Sequence, residues 1–181
     1  SKQHTVYALD SRGHGQSASS GEFHYTDMAE DIAAFIHALD LVKPAYYGFS
    51  DGGIIGLLAA SKYPSLFCAL AVSGANLTPS GLKSSLKFKI RMKYLKTKDP
   101  LLSMMLKEPR ITKTDLSKIT IPTLILAGSK DIVKKSETKR IAASIPDAVL
   151  QILPDETHSG YVVHSPKLFP LLDAFFSQHC Y

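Results

Sequence analysis

Short apolar runs alternate with segments of helical length, and this alternation constrains the fold more than any other feature of the sequence. The runs have strand length and are apolar on both faces: Pro44 to Phe49, Phe67 to Val72, Thr123 to Ala127 and Val149 to Leu153. Helices are predicted from Tyr25 to Leu39, Gly52 to Ala60, Ser136 to Ser144 and Pro166 to Phe176. This order indicates an α/β fold, with a mostly parallel sheet covered by helices on both faces.

A further run, Val6 to Leu9, predicts a buried strand that leads into a Gly-rich turn. With 181 residues, 45% hydrophobic and 20% charged, we expect a single folded domain over residues 1–181. No apolar run approaches the roughly 18 residues of a membrane span, and Ser1 to His4 does not resemble a targeting segment. Cys68 and Cys180 do not suggest a disulfide framework, so we expect a reducing, cytoplasmic location.

Residues Leu77 to Lys118 interrupt the alternation and are interpreted as a lid insertion within the domain. The segment from Gly81 to Lys118 contains eleven Lys and Arg and three acidic residues, so the net charge of +5 arises in this segment. It contains no nucleic-acid motif, and we interpret its charge as a solvated basic face without a nucleic-acid partner. Within this segment, apolar and basic residues alternate strictly, and a period of two residues favours a strand. However, the residues are good helix formers, so we predict a helix from Leu82 to Leu95. In that helix the side chains predicted to face the pocket are Leu86, Ile90 and Tyr94.

The motif Gly48-Phe49-Ser50-Asp51-Gly52 fits G-x-S-x-G and falls between a predicted strand and a predicted helix. A tight turn leaves no room for β-carbons beside the serine, so we expect both flanking glycines to be required. The turn exposes the Ser50 hydroxyl as a candidate nucleophile, and the Asp51 amide at the helix N-terminus would face an oxyanion. An ordinary turn serine is the alternative.

A serine nucleophile requires a base and an acid that orients the base, and both are expected at strand ends. Asp131 follows the run Thr123 to Ala127, and His158 follows the last run, which gives the order Ser, Asp, His. Asp155 is the rival acid, more plausibly a tether for its loop. Other candidates are assigned surface, structural or capping roles; they are His14, His24, His37, His164, His179 and the Asp51 side chain.

The stretch Asp10-Ser11-Arg12-Gly13-His14-Gly15-Gln16-Ser17 resembles the D-x-R-G-H-G-x-S signature of the α/β-hydrolase superfamily, in its small bacterial esterase-like and cofactor-free haloperoxidase-like branch. With the other motifs, the resemblance spans nearly the whole chain. It implies hydrolysis of a small-molecule ester through an acyl-enzyme on Ser50, without a metal or an organic cofactor. Phe49 would shape the substrate pocket, and Arg12 to His14 would form a structural turn.

The chain departs from the family in starting late, because members usually carry three further strands upstream. The resemblance places the third of these between Val6 to Leu9 and Ala45 to Phe49, and its loop supplies the second oxyanion amide. We therefore expect a fragment of a longer hydrolase; the alternatives are a partner chain that completes the sheet and direct pairing of the two strands. A single amide would make the isolated chain a poor catalyst.

Two functions compete with hydrolysis. A non-catalytic ligand-binding or signalling protein of the same fold would keep the pocket without turnover. An interaction protein whose basic insertion contacts acidic partners is suggested by charge alone.

Overall fold

A computed structural model describes residues 4–18 and 21–180; the first three residues, on which the expectation about targeting partly depends, lie outside that range. In these two ranges, the sheet has four parallel strands in the order β1-β2-β3-β4. The strands are β1 (Tyr46–Phe49), β2 (Leu70–Ser73), β3 (Thr123–Gly128) and β4 (Ala148–Leu153). All carboxyl ends therefore meet at one edge of the sheet, where a parallel sheet places its site.

The helices are α1 (Tyr25–Ala38), α2 (Asp51–Lys62), α3 (Ser84–Thr97), α4 (Pro100–Lys107), α5 (Lys113–Leu116), α6 (Lys135–Ser144) and α7 (Leu168–His179), with a short 3₁₀ helix at Pro79–Gly81. Alternate strand residues point to opposite faces. On one face, Leu70, Val72 and Ile125 join a core with α1, α2, α5 and α6. On the other, Leu124 and Leu126 pack with Tyr161 and α7. The predicted α/β architecture with helices on both faces is confirmed.

The predicted strand at Val6 to Leu9 is wrong. These residues have no regular secondary structure and are exposed, with 68% of Val6 accessible, and the ring centroids of Tyr7 and of Phe35 on α1 lie 5.4 Å apart. Within the described residues, β1 pairs only with β2, so direct pairing of Val6 to Leu9 with β1 does not occur. An apolar run forms a strand only if an adjacent strand pairs with its backbone N–H and C=O groups. The residues of the run itself do not indicate whether such a strand is present.

The last strand is less buried than its apolar composition suggested. Because β4 pairs only with β3 among the described strands, it lies at an edge, and Val149 is 56% exposed. The prediction that every run is covered on both faces is therefore wrong for β4.

The insertion between β2 and β3 is helical, as predicted, and contains α3, α4 and α5. The predicted helix Leu82 to Leu95 corresponds to α3, while Leu82 itself forms an isolated bridge with Val133 after β3. Ile90 is buried, and Leu86 and Tyr94 are half-buried, so this side of the helix faces the protein. Of the three, Leu86 lines the cavity at Ser50 and His158, as predicted, whereas Ile90 and Tyr94 are not among its lining residues. These contacts hold α3 over the carboxyl edge of the sheet.

Cys68, just before β2, and Cys180, just after α7, form a disulfide with a Cα–Cα distance of 5.5 Å. The interpretation that these two cysteines do not indicate a disulfide is therefore wrong, and the prediction of a reducing compartment loses that support. The bond joins residues 112 positions apart, which spacing alone could not indicate. Among the described residues, no helix has the length and apolar character required to span a bilayer.

Candidate active site

Three loops at the carboxyl edge of the sheet bring Ser50, Asp131 and His158 together. Ser50 follows β1 directly, Asp131 lies shortly after β3, and His158 lies in the loop after β4. Each predicted residue is thus placed by the end of a different strand.

A continuous hydrogen-bonded chain connects the three side chains. His158 Nδ1 lies 2.7 Å from Asp131 Oδ1, and His158 Nε2 lies 3.1 Å from Ser50 Oγ. In the neutral tautomer protonated at Nδ1, the ring donates to Asp131 and accepts from the Ser50 hydroxyl. This arrangement allows His158 to take a proton from Ser50.

The Asp131 carboxylate is buried, at 4% exposure, and is held in its ionised form. Burial raises the pKa of this carboxyl. The hydrogen bonds from His158 and from the Val133 amide, at 2.9 Å, together lower the pKa by more than burial raises it, so the net pKa lies below its usual value. A permanently negative group beside Nδ1 orients the ring and favours an imidazolium when one forms.

Ser50 occupies a strained turn between β1 and α2, with φ 55° and ψ −114°. Its amide donates to the Ser73 carbonyl at 2.8 Å, which fixes the turn against β2. A β-carbon on Gly48 would lie 2.2 Å from the Gly52 carbonyl oxygen, so no side chain fits there. A β-carbon on Gly52 would meet no described atom within 4 Å, so the prediction that both flanking glycines are sterically required is wrong for Gly52.

Asp51 begins α2, and its amide, the first of the helix, has no acceptor within the helix. Its carboxylate does not cap α2, contrary to the expectation, but accepts a hydrogen bond from the buried Tyr25 hydroxyl at 2.8 Å. Burial raises the pKa of the Asp51 carboxyl above its ordinary value, and the Tyr25 hydrogen bond opposes this only in part. Tyr25 was predicted only as a helix start, and nothing in the sequence indicated this contact.

The imidazole of His158 is packed as well as hydrogen-bonded. The Phe49 ring lies 4.8 Å from it, centroid to centroid. Gly74, just after β2 and at φ +62°, approaches so closely that a β-carbon there would lie 2.7 Å from His158 Cε1. Sequence reasoning missed Gly74; the only signal was a glycine two residues after the apolar run Phe67 to Val72.

The α/β-hydrolase fold family model matches residues 1–99, which is more than half of the chain. The chain belongs to the α/β-hydrolase fold family.

The relatives of this α/β hydrolase differ in the share of their own length that aligns with it. Human serine hydrolase BPHL is 27% identical, over 96% of this chain and 70% of the relative. Ethanol acetyltransferase 1 of Kluyveromyces lactis is 39% identical over 70 residues, which is 39% of this chain and 19% of that enzyme. The chain thus aligns with only about a fifth of the acetyltransferase.

Solved structures share the fold at low identity. BpoC of Mycobacterium tuberculosis, a candidate non-heme bromoperoxidase, superposes with a TM-score of 0.75 at 18% identity, over 93% of this chain and 80% of BpoC. A thermophilic esterase gives a TM-score of 0.75 at 20% identity, over 96% of this chain and 81% of the esterase. At these identities the similarity supports the fold alone.

The rival residues of this α/β hydrolase do not join the hydrogen-bonded chain of Asp131, His158 and Ser50 in the described structure. Asp155 is exposed and forms an ion pair with Lys130 at 2.9 Å rather than contacting His158. The alternative histidines bond or pack with other groups: His14, which lines the cavity beside Ser50, bonds with the Arg12 carbonyl, His24 with Glu108, and His179 packs with Phe175. His37 and His164 are exposed.

The turn in the D-x-R-G-H-G-x-S stretch is anchored to α1. The Arg12 guanidinium donates to the Asp31 carboxylate at 2.7 Å and to Asp27 at 3.3 Å. This is the structural role that the resemblance implied for Arg12. Among the described residues, no group of three or more His, Cys, Asp or Glu is arranged to hold a metal ion.

Two cavities flank the Ser50 hydroxyl. One, of about 340 Å³, lies between the Leu9 to His14 turn and Phe49, Ser50 and Gly52. The other, of about 30 Å³, lies beneath the insertion, where Leu82, Leu86 and Met105 cover Ser50 and His158. The nucleophile candidate therefore faces a roomy cavity on one side and a narrow one on the other.

Proposed function

We propose that this protein is a serine hydrolase that cleaves small carboxylic esters through an acyl-enzyme intermediate. The observation that carries the proposal is the chain of hydrogen bonds from Asp131 through His158 to Ser50, at 2.7 and 3.1 Å. A serine hydroxyl is a weak nucleophile near neutral pH, and such a chain is the arrangement that activates it.

In acylation, Ser50 Oγ attacks the ester carbonyl carbon while its proton passes to His158 Nε2. The negative charge that develops on the carbonyl oxygen faces the Asp51 amide, which carries the positive end of the α2 dipole. The C–O bond to the alcohol then breaks, and His158 returns the proton to the leaving oxygen. The products of this half-reaction are the alcohol and a Ser50 ester.

In deacylation, His158 takes a proton from a water molecule, and the resulting hydroxide attacks the Ser50 ester. In the collapse of the second tetrahedral intermediate, the bond from the acyl carbon to Ser50 Oγ breaks and His158 Nε2 returns its proton to Oγ, which releases the carboxylic acid and restores the Ser50 hydroxyl. Asp131 stays ionised in both halves and stabilises the imidazolium. An oxyanion site usually has two donors, and the expectation that the second lies outside this chain stays a prediction.

The cavities support a short acyl group. A space of about 30 Å³ beneath Leu82, Leu86 and Met105 has room for a group of only a few heavy atoms. The cavity of about 340 Å³ beside Phe49 is large enough for the remainder of a small ester. We therefore expect acetyl esters to be cleaved faster than octanoyl esters of the same alcohol.

The test compares wild type, Ser50→Ala and a matched serine variant, Ser159→Ala, in the exposed part of the His158 loop. Wild type and Ser159→Ala should react with a fluorophosphonate probe and hydrolyse p-nitrophenyl acetate. Ser50→Ala should do neither, because a triad member usually contributes several orders of magnitude to turnover. Equal turnover by wild type and Ser50→Ala would refute the assignment. Failure of the folded wild type to label or turn over would favour the non-catalytic ligand-binding alternative.

Acyl transfer to an alcohol is a second candidate, favoured by the 39% local identity to an ethanol acetyltransferase. It uses the same acyl-enzyme but resolves it with an alcohol instead of water. Turnover of p-nitrophenyl acetate with added ethanol distinguishes the two. Acetate as the main product supports hydrolysis, and ethyl acetate as the main product supports transfer.

A further inference from the structure

Helix α3 carries two apolar stripes on opposite sides. The inner stripe, Leu86, Ile90 and Tyr94, packs toward the body of the protein. The outer stripe consists of Phe88, Met92 and Leu95, which are 64%, 50% and 51% exposed. Spacings of four and three residues align these three side chains along one face of a helix. Three large apolar side chains thus form a continuous ridge that faces solvent.

Basic residues border this outer stripe on both sides. Helical geometry places Lys89 and Lys96 along one flank, and Lys87 and Arg91 along the other. The segment 82–98 contains seven Lys and Arg and no acidic residue. Within the described part of the chain, none of these seven forms an ion pair. Six of them are exposed and Lys87 is half-buried, while the Lys98 ammonium lies over the Tyr94 ring at 5.6 Å. An apolar ridge between two cationic borders calls for an apolar partner with an anionic surface.

From this pattern we propose that the outer stripe of α3 binds peripherally to an anionic lipid bilayer. The ridge enters the boundary between headgroups and acyl chains, while the flanking cations contact the lipid phosphates and carboxylates. A convex ridge fits a deformable surface, whereas an acidic peptide would require a groove. A second copy of this chain would bring its own seven cations against these, which like-charge repulsion opposes.

The location of the ridge relates membrane binding to the candidate site. Leu86, on the opposite side of the same helix, lines the narrow cavity above Ser50 and His158. A bilayer bound to the outer stripe would therefore lie one helix diameter, about 10 Å, from the nucleophile candidate. The binding proposal does not depend on hydrolysis, since vesicle binding is measured without turnover.

A single tryptophan tests the proposal, because the chain contains none. Phe88→Trp places this reporter on the ridge, and Phe169→Trp is the control at a comparably exposed position, 68%, on α7. With vesicles of phosphatidylcholine and 30% phosphatidylserine, Phe88→Trp fluorescence should shift to the blue, and Phe169→Trp fluorescence should not. Affinity should be at least about 30-fold lower for pure phosphatidylcholine, given the typical contribution of each basic residue.

Vesicle sedimentation with polar variants separates the stripe from charge alone. The triple variant Phe88→Gln/Met92→Gln/Leu95→Gln should lose about 10-fold or more in affinity, while Val42→Gln/Phe169→Gln should match wild type. Gln is a good helix former, so α3 should be retained, which circular dichroism checks. Turnover of a water-soluble ester by the triple variant should also be unchanged.

Three outcomes would overturn the proposal. The folded protein could fail to bind anionic vesicles, or it could bind them equally well after the triple substitution. Alternatively, poly-glutamate could shift the Phe88→Trp fluorescence while vesicles do not, which would assign the ridge to an acidic polypeptide.

Discussion

Gly74→Ala should impair turnover strongly even though Gly74 has no part in the chemistry. The new β-carbon would lie 2.7 Å from His158 Cε1 and 2.9 Å from Nδ1, whereas non-bonded carbons normally approach to about 3.5 to 4.0 Å. The imidazole would therefore have to move by about 1 Å. Phe49 packs against the same ring and limits the directions in which it can move.

That displacement is large compared with the tolerance of the hydrogen bond to the nucleophile. His158 Nε2 lies 3.1 Å from Ser50 Oγ, so a shift of about 1 Å would lengthen the contact beyond a hydrogen bond. A misplacement of this size costs about 10²-fold in rate. Gly74 also has φ +62°, so alanine should destabilise the fold by about 1 to 2 kcal/mol.

Steady-state hydrolysis of p-nitrophenyl acetate checks this prediction, alongside thermal unfolding of each variant. We expect kcat of folded Gly74→Ala to fall about 100-fold with little change in KM. Gly21→Ala is the control, because Gly21 also has a positive φ, +90°, and its β-carbon would meet no described atom within 4 Å beyond its chain neighbours, so this variant should stay within a few-fold of wild type. If folded Gly74→Ala keeps kcat within threefold of wild type, the contact does not position His158.

Three further predictions concern the acid and the disulfide. Asp131→Asn should lower kcat by about 10⁴-fold through the wrong imidazole tautomer, whereas Asp155→Asn should change it little; the reverse ranking would transfer the acid role. Because the folded pKa of Asp131 lies below its unfolded value of about 3.9, its ionised form stabilises the fold above that pH, and this contribution is lost as pH falls through the folded pKa. In urea unfolding, the free energy of unfolding should thus fall less between pH 6 and pH 3 for Asp131→Asn than for wild type. An equal fall for the two proteins would contradict this. Reduction of Cys68–Cys180 should lower the free energy of unfolding by about 2 to 4 kcal/mol, and an unchanged urea midpoint would refute that value.

The sheet and its helices could be predicted because their signal is local. Strands such as Thr123–Gly128 are apolar throughout, and helices such as Tyr25–Ala38 show a helical period. The failures involve partners that are distant in sequence. Val6 to Leu9 is apolar but pairs with no strand among the described residues, and Cys68 bonds to a cysteine 112 residues away.

The hydrogen-bonded chain at the candidate site was predictable for a different reason. Parallel strands bring their carboxyl ends to one edge, so polar residues that follow three strands must converge there. Ser50, Asp131 and His158 each follow such a strand. The contacts around them were not predictable, because Tyr25 and Gly74 act through shape and burial and carry no motif.

Apolar and basic residues alternate strictly in α3. The period of this pattern favours a strand, whereas the helix propensity of the residues favours a helix. In a strand, alternating apolar and basic residues would form one apolar face and one cationic face. In a helix, the same residues form two apolar stripes on opposite sides, with cations between them. Only the inner stripe is needed to hold α3 against the protein, since Ile90 is buried there while Phe88 and Met92 face solvent. The fold therefore does not account for the outer stripe. Replacing its side chains with glutamine should leave the free energy of unfolding within about 0.5 kcal/mol of the wild-type value. A substantial loss of stability would show that the outer side chains pack against the protein, and they would then not be free to meet a bilayer.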